Sequence, residues 1–250
     1  MSTHLLLIIA LLAAVGFWAG VQNALAGGGT FITFPVLLLA GLDPRAANIT
    51  SAVALFPGQI ATGLAGRSLV RGTAGLSALA LGAISLVGGC LGAILLLATP
   101  QSIFTALVPW LVLFATLVFA WGSFRGPPRI GRELGRLPGG ITQFCIAVYG
   151  GYFGGGIGIL MIAALTMAGL DTRHAGATKN ALAAVINIAA VLIFAFSPDV
   201  DWLYAAVLGA GSIGGGQLGA WMLKRVNETW LRIAVIGLGV ALTIGLFWRG

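Results

Sequence analysis

The sequence predicts an all-α polytopic membrane protein made of two inverted-topology repeats, each with a glycine-broken, discontinuous or re-entrant helix. Three observations predict it. Of 250 residues, 59% are hydrophobic and only 8% are charged, with 13 Lys+Arg against 6 Asp+Glu. A soluble domain carries about 25% charged residues, so these few charges cannot cover a water-facing surface. Glycine is the second observation: there are 39, more than twice the usual share of about 7%. The third is that stretches of the first half recur in the second with their flanking charges exchanged.

Composition also excludes other classes. Disorder needs low hydrophobicity and high charge, the reverse of what is present. The glycines follow no three-residue period, so a collagen-like chain is ruled out. The net charge of +7 does not point to nucleic acid, because Arg and Lys in such a chain chiefly set its orientation in the membrane. Cys90 and Cys145 lie in apolar runs with no partner at motif spacing, as small buried residues would. Residues 5–15 resemble a signal-peptide core, but the apolar run continues past Phe17 and Trp18 without a basic leader or a clean cleavage site. They read as a retained membrane segment.

About 20 apolar residues cross a bilayer core. The segments 46–65, 73–98, 102–122, 174–197, 201–223 and 229–248 have that length. Two others, 5–41 and 140–169, are too long for one span, and each contains a glycine triplet, Gly27-Gly28-Gly29 and Gly154-Gly155-Gly156. Three glycines destabilise a helix interior. The pieces that follow, 30–41 and 157–169, are about half a span long. Trp121, Trp202, Trp221, Trp230 and Trp248 fall near span ends, as an interfacial belt requires, whereas Trp110 does not.

Residues 40–45, Ala-Gly-Leu-Asp-Pro-Arg, recur as Ala-Gly-Leu-Asp-Thr-Arg at 168–173. The segment 85–93 recurs at 212–220 with six of nine positions identical. Loop 66–72 carries Arg67 and Arg71, whereas its counterpart near 197–201 carries Asp199 and Asp201. Loop 98–101 is uncharged, whereas its counterpart carries Lys224 and Arg225. Positive loops face the cytoplasm, so equivalent loops lie on opposite sides. The chain divides into a first membrane repeat, 1–122, a basic cytoplasmic linker, 123–139, and a second, inverted membrane repeat, 140–250. Both termini lie outside on this count, if each broken region crosses as a hairpin or a pair of spans.

Unwound backbone within a bilayer is tolerated only where protein or a cavity receives it. A half-helix starting after such a break turns its N–H groups and positive dipole end toward that cavity. The candidates for binding an anion there are Gly27, Gly28, Gly29 and Thr30 in one half and Gly154, Gly155 and Gly156 in the other. Close helix packing is the alternative reading of the same glycines. Asp43-Pro44 reads as an N-cap followed by the first residue of a helix. That helix carries Asn48, Thr50, Ser51 and Gln59, and its counterpart carries Thr178, Lys179, Asn180 and Asn187. Ser51 with Gln59, and Lys179 with Asn187, are eight apart and share a face. A cation at depth marks a site, though a side chain of this length also snorkels to an interface. Gln59 and Asn187 serve equally as hydrogen-bond partners between helices. Tyr149 and Tyr152 offer hydroxyls to an anion, or pack in the core. Arg45 and Arg173 match across the repeat, one on each membrane face, and read as a funnel for anions or, in the favoured reading, as solvated helix-start charges.

Gly88, Gly92, Gly215 and Gly219 are spaced for helix packing. Gly209 to Gly214 fits a dinucleotide fingerprint formally, but no strand precedes it. No metalloprotease, serine-hydrolase, phosphate-loop or paired-cysteine motif is present, and two histidines with six acids form no acid–base or metal cluster. No catalytic residues, metal ligands or cofactors are expected, and the chain is not expected to be an enzyme.

The run Gly27-Gly28-Gly29-Thr30-Phe31-Ile32-Thr33-Phe34-Pro35-Val36-Leu37 resembles the glycine-rich segment of the TauE/SafE family of sulfite and organosulfonate exporters. The run Tyr149-Gly150-Gly151-Tyr152-Phe153-Gly154 resembles that family's second pattern, with Tyr152 where phenylalanine is usual. Ala177-Thr178-Lys179-Asn180 resembles its signature on the next helix. The likeness covers essentially the whole chain. It implies a multi-pass permease for small, often sulfur-containing anions in the plasma (inner) membrane of a prokaryote.

The expectation is therefore a secondary transporter exporting sulfite or a C2–C3 organosulfonate by alternating access. Its expected partners are the small anion and the lipid bilayer, with no nucleic acid; a homo-oligomer stays open. Two alternatives stand beside it: a channel-like or cation permease, and a non-transporting membrane scaffold.

Overall fold

The structure is a computed structural model that describes residues 3–25, 27–124, 135–222 and 228–249. Residues 125–134 of the basic linker, and Lys224 with Arg225, lie outside the described residues. The described chain is helical. In order the helices are α1 (Thr3–Leu25), α2 (Thr30–Leu39), α3 (Pro44–Ala65), α4 (Ala78–Ala98) and α5 (Gln101–Phe124), then α6 (Arg136–Tyr152), α7 (Ile157–Met167), α8 (Thr172–Phe194), α9 (Trp202–Met222) and α10 (Glu228–Arg249).

Local signals set several boundaries. Asp43 caps α3 by accepting from the amides of Arg45 and Ala46, and Pro44 is the first residue of the helix. Its φ is preset for a helix and its missing N–H is one that a first turn leaves unpaired anyway. Asp171 caps α8 in the same way through Arg173 and His174. Such a cap contributes about 1 kcal/mol. The span expected from 73 begins instead at Ala78: residues 73–76 form a turn, and the Ser77 hydroxyl caps α4 by accepting from the amide of Ala80. Polar Ser77 offered the backbone this alternative to continuing the helix.

Among the described residues, four helices are long and apolar enough to cross a membrane: segments of α1, α4, α5 and α8. α3 also has span length, but Asn48, Thr50, Ser51, Gln59 and Thr62 dilute its hydropathy. Those polar side chains are turned toward protein: Asn48, Thr50, Ser51 and Thr62 are all buried. The opposite arrangement holds on α4, where Leu79, Leu86, Val87, Leu91, Ile94 and Leu95 are exposed. α5 likewise exposes Ile103, Leu107, Phe114 and Leu117. A water-soluble monomer does not present continuous apolar faces of this extent. The fold is that of a multi-pass, all-α membrane protein.

The helices pair extensively across the two halves of the chain. α1 packs on α9, α4 on α6, α3 on α9, α4 on α8, α3 on α8 and α5 on α10. Lipid tails are as apolar as the side chains, so these contacts need close packing rather than expulsion of water. A Cβ at Gly215 would overlap the carbonyl oxygen of Phe17 on α1, and one at Gly92 would overlap that of Val148 on α6. The spaced glycines are therefore packing surfaces, as read. Trp110 has a place as well: its ring stands edge-on to Phe247 at 5.1 Å, in the α5–α10 contact.

Candidate functional site

Two short junctions between helices meet. α1 ends at Leu25 and α2 begins at Thr30; α6 ends at Tyr152 and α7 begins at Ile157. Gly27 and Gly28 take φ of +79° and +85°, and Gly154 and Gly156 take +76° and +74°. Left-handed backbone is costly for any residue with a Cβ, which is why glycine occupies these turns. The junctions also touch each other. A Cβ on Gly27 would sit 3.0 Å from the Cα of Gly158 at the start of α7.

A cavity lies at this meeting point. Gly27, Gly28 and Thr30 line it from the first junction, and Gly154 lines it from the second. Asn48 and Gln59 reach it from α3, and Lys179, Asn180 and Asn187 reach it from α8. Nine of the residues expected at a site thus share one cavity, drawn from both halves of the chain.

The Lys179 side chain is buried, with 2% exposure. A charge at such depth is expensive, on the order of 3 kcal/mol even in insertion measurements. Its Nζ donates to the carbonyl oxygen of Asn23 at 3.3 Å, in the last turn of α1. That carbonyl is one that a helix end leaves unpaired, at the negative end of the helix dipole. Lys179 therefore lies against the protein interior and does not snorkel to an interface. Asn187 spends one donor on its own helix, giving Nδ2–H to the carbonyl of Ala183 at 3.0 Å. Asn48 donates through Nδ2 to the carbonyl of Tyr152 at 3.1 Å.

The other expected residues are not among those that line the cavity. Gly29 donates its amide to Asn23 Oδ1 at 2.9 Å. The hydroxyls of Ser51 and Thr33 bond to each other. Gly155 accepts from the Tyr149 hydroxyl at 2.9 Å, which ties the second junction to α6. Gly156 faces Ala115 of α5. The Tyr152 hydroxyl donates to Thr99 Oγ1 at 3.3 Å. Thr50 and Thr178 bind distant loops. Thr50 Oγ1 accepts from the amide of Asp201 at 3.1 Å, and Thr178 Oγ1 accepts from the amide of Arg71 at 3.0 Å. Arg45, expected in solvent, pairs with Asp199 at 2.9 Å and donates to the carbonyl of Thr99.

Sequence reasoning missed Asn23, Thr62, Gly150, Gly151 and Gly158, which also line the cavity. Asn23 had a visible signal, since Gln22-Asn23 interrupts an otherwise apolar helix just before the first glycine triplet. Phe153 and Phe194 complete the apolar part of the wall.

Comparison with known proteins places most of the chain in one group. The sequence profile described as sulfite exporter TauE/SafE matches residues 12–246. A probable membrane transporter protein of Haemophilus influenzae is 30% identical over 240 residues, covering 94% of this chain and 93% of that protein. The probable membrane transporter protein YfcA of Escherichia coli K12 is 27% identical, covering 92% of this chain and 86% of its own. The probable membrane transporter protein ORF9 of a Sinorhizobium species is 28% identical, covering 96% and 92%.

Proposed function

The chain belongs to the sulfite exporter TauE/SafE family, and on that premise we propose that it is a secondary transporter of small anions, exporting sulfite or a C2–C3 organosulfonate. The observation that carries this reading is Lys179, a buried cation on the wall of a cavity where the two glycine junctions meet. An oxyanion entering that cavity gains the ammonium of Lys179 and the amide donors of Asn180 and Asn187. It also gains backbone N–H groups at the starts of α2 and α7. The amides of Phe31, Ile32 and Ile159 are already spent on the carbonyls of Gly28, Gly29 and Gly156, which leaves the amides at the very first positions, at the positive ends of the helices, to face an anion. Thr30 and Gly158 belong to those starts and line the cavity.

Within this reading α1–α2 and α6–α7 are glycine-broken helices, and residues 1–122 and 140–250 are inverted repeats joined by the basic linker. Several features support the repeat. The six main helix pairs are unchanged when α1 to α5 are exchanged with α6 to α10, so that α1 on α9 becomes α6 on α4. α2 and α7 end alike, with Leu42 N donating to Leu37 O and Leu170 N to Leu165 O. Thr50 and Thr178, equivalent in sequence, each hold a loop of the other half. Because α4 packs in the second half and α9 in the first, the bodies that rock during alternating access mix elements of both repeats. The setting is a prokaryotic plasma membrane.

The test is flux of labelled sulfite and sulfoacetate in proteoliposomes containing folded protein. Saturable flux of either supports the reading. No flux of any small anion overturns it.

A further inference from the structure

The two junction helices α1 and α6 end on the same cavity but are finished differently. At the end of α1 the carbonyl of Asn23 receives the ammonium of Lys179. At the end of α6 the carbonyl of Tyr152 receives only a neutral amide, Nδ2 of Asn48. That hydrogen bond fixes which way the Asn48 amide faces, and leaves its Oδ1 as an acceptor. Asn48 is 2% exposed, and Oδ1 is buried with no hydrogen-bond partner among the described residues. A buried polar atom without a partner is costly, and its persistence calls for an explanation.

Its bond to the carbonyl of Tyr152 places the Asn48 amide at the C-terminal end of α6. The last carbonyls of a helix have no donor within it. Here the turn after α6 does not supply the missing donors in sequence, because the amides of Phe153 and Gly154 both go to the carbonyl of Tyr149. Gly150 and Gly151, whose carbonyls follow, line the cavity. The end of α6 thus combines an orphaned amide oxygen, helix-terminal carbonyls and the negative end of a helix dipole. No Asp or Glu is among the residues lining the cavity.

We propose that the C-terminal end of α6 binds a monovalent alkali cation, with Asn48 Oδ1 and helix-terminal carbonyls as its ligands. Hard, neutral oxygens suit an alkali ion, whereas divalent ions recruit carboxylates. The ion occupies at α6 the electrostatic place that Lys179 fills at α1. An anion is disfavoured there, since an acceptor oxygen and a negative helix end repel it. Gln59 Oε1 is also without a partner among the described residues, but it lies eleven residues further along α3, about 16 Å away, too far to share the ion. This site goes beyond the anion reading and supplies that reading with a coupling ion.

The experiment measures thermal stability of the purified full chain in detergent. NaCl, KCl, LiCl and choline chloride are compared at equal ionic strength with no sulfur anion present. The expected result is a saturable rise in Tm with one of the alkali ions and none with choline. Asn48→Leu abolishes the response. Asn48→Asp, which places a carboxylate at Oδ1, lowers the half-saturating concentration about tenfold and keeps the test decisive should Asn48→Leu fail to fold. Equal Tm in all four salts overturns the site, as does an Asn48→Asp response equal to the wild type. Sulfite flux, run beside it with and without a gradient of the same cation, separates the two claims. A cation response without anion flux keeps the site and overturns the transport reading. Anion flux without a cation response does the reverse.

Discussion

The ammonium of Lys179 donates to the carbonyl oxygen of Asn23, joining the first half of α8 to the last turn of α1. Asn23 in turn accepts the amide of Gly29 through its side chain. One residue therefore links the buried charge to the first glycine junction. Asn23→Ala removes the acceptor for the Gly29 amide and leaves the main-chain acceptor for Lys179 in place. A buried donor left unsatisfied costs about 1–3 kcal/mol. Thermal denaturation in detergent is expected to show that loss.

Left-handed glycines at the junctions make a second prediction. Gly28→Ala forces a Cβ into a φ of +85°, at a cost of about 1–2 kcal/mol. Gly176 is the control, since it sits in α8 and a Cβ there meets nothing within 4 Å. Gly176→Ala is expected to be neutral or to stabilise by up to about 1 kcal/mol. Denaturation curves of the two variants should move apart. A Gly28→Ala as stable as the wild type would contradict the turn geometry.

The seams between halves predict differently. Gly92→Val places side-chain atoms where the Val148 carbonyl stands, so α4 and α6 must separate. Overpacking of this kind costs about 1–3 kcal/mol or more. Gly82 on the same helix α4 has open space around it, and Gly82→Val is expected to be milder. Yield of monodisperse protein and Tm both report the difference.

How much of this was legible in the sequence depends on the kind of signal. The junctions were, because three consecutive glycines oppose a helix whatever surrounds them. Asp43 and Asp171 were, because a cap is a local hydrogen bond. The roles of Thr50 and Thr178 were not. A threonine's partner on a loop more than 100 residues away leaves no local trace, so both were expected in the cavity and both instead hold loops. Arg45 was misplaced for the same reason. Its partner Asp199 comes from the loop before α9, and the 3.6-residue period of α3 says nothing about that loop.

That pair offers another prediction. The side chains of Arg45 and Asp199 are about four-fifths covered, with 20% and 19% exposure. Their coupling should exceed zero and be on the order of 1 kcal/mol. A double-mutant cycle of Arg45→Met and Asp199→Asn, read by thermal denaturation, measures it. Additive single effects would show that the contact is incidental.

The most direct test of the account is the initial rate of sulfite flux for Lys179→Met beside Arg173→Met, at equal amounts of folded protein. Arg173 is exposed near the start of α8 and controls for the loss of one positive charge. Losing the buried partner of a bound anion costs at least about 2 kcal/mol, so Lys179→Met should transport about thirtyfold less at subsaturating sulfite. Arg173→Met should remain near the wild type. If folded Lys179→Met carries sulfite within about threefold of the wild type, the buried lysine does not hold the anion and the central claim is wrong.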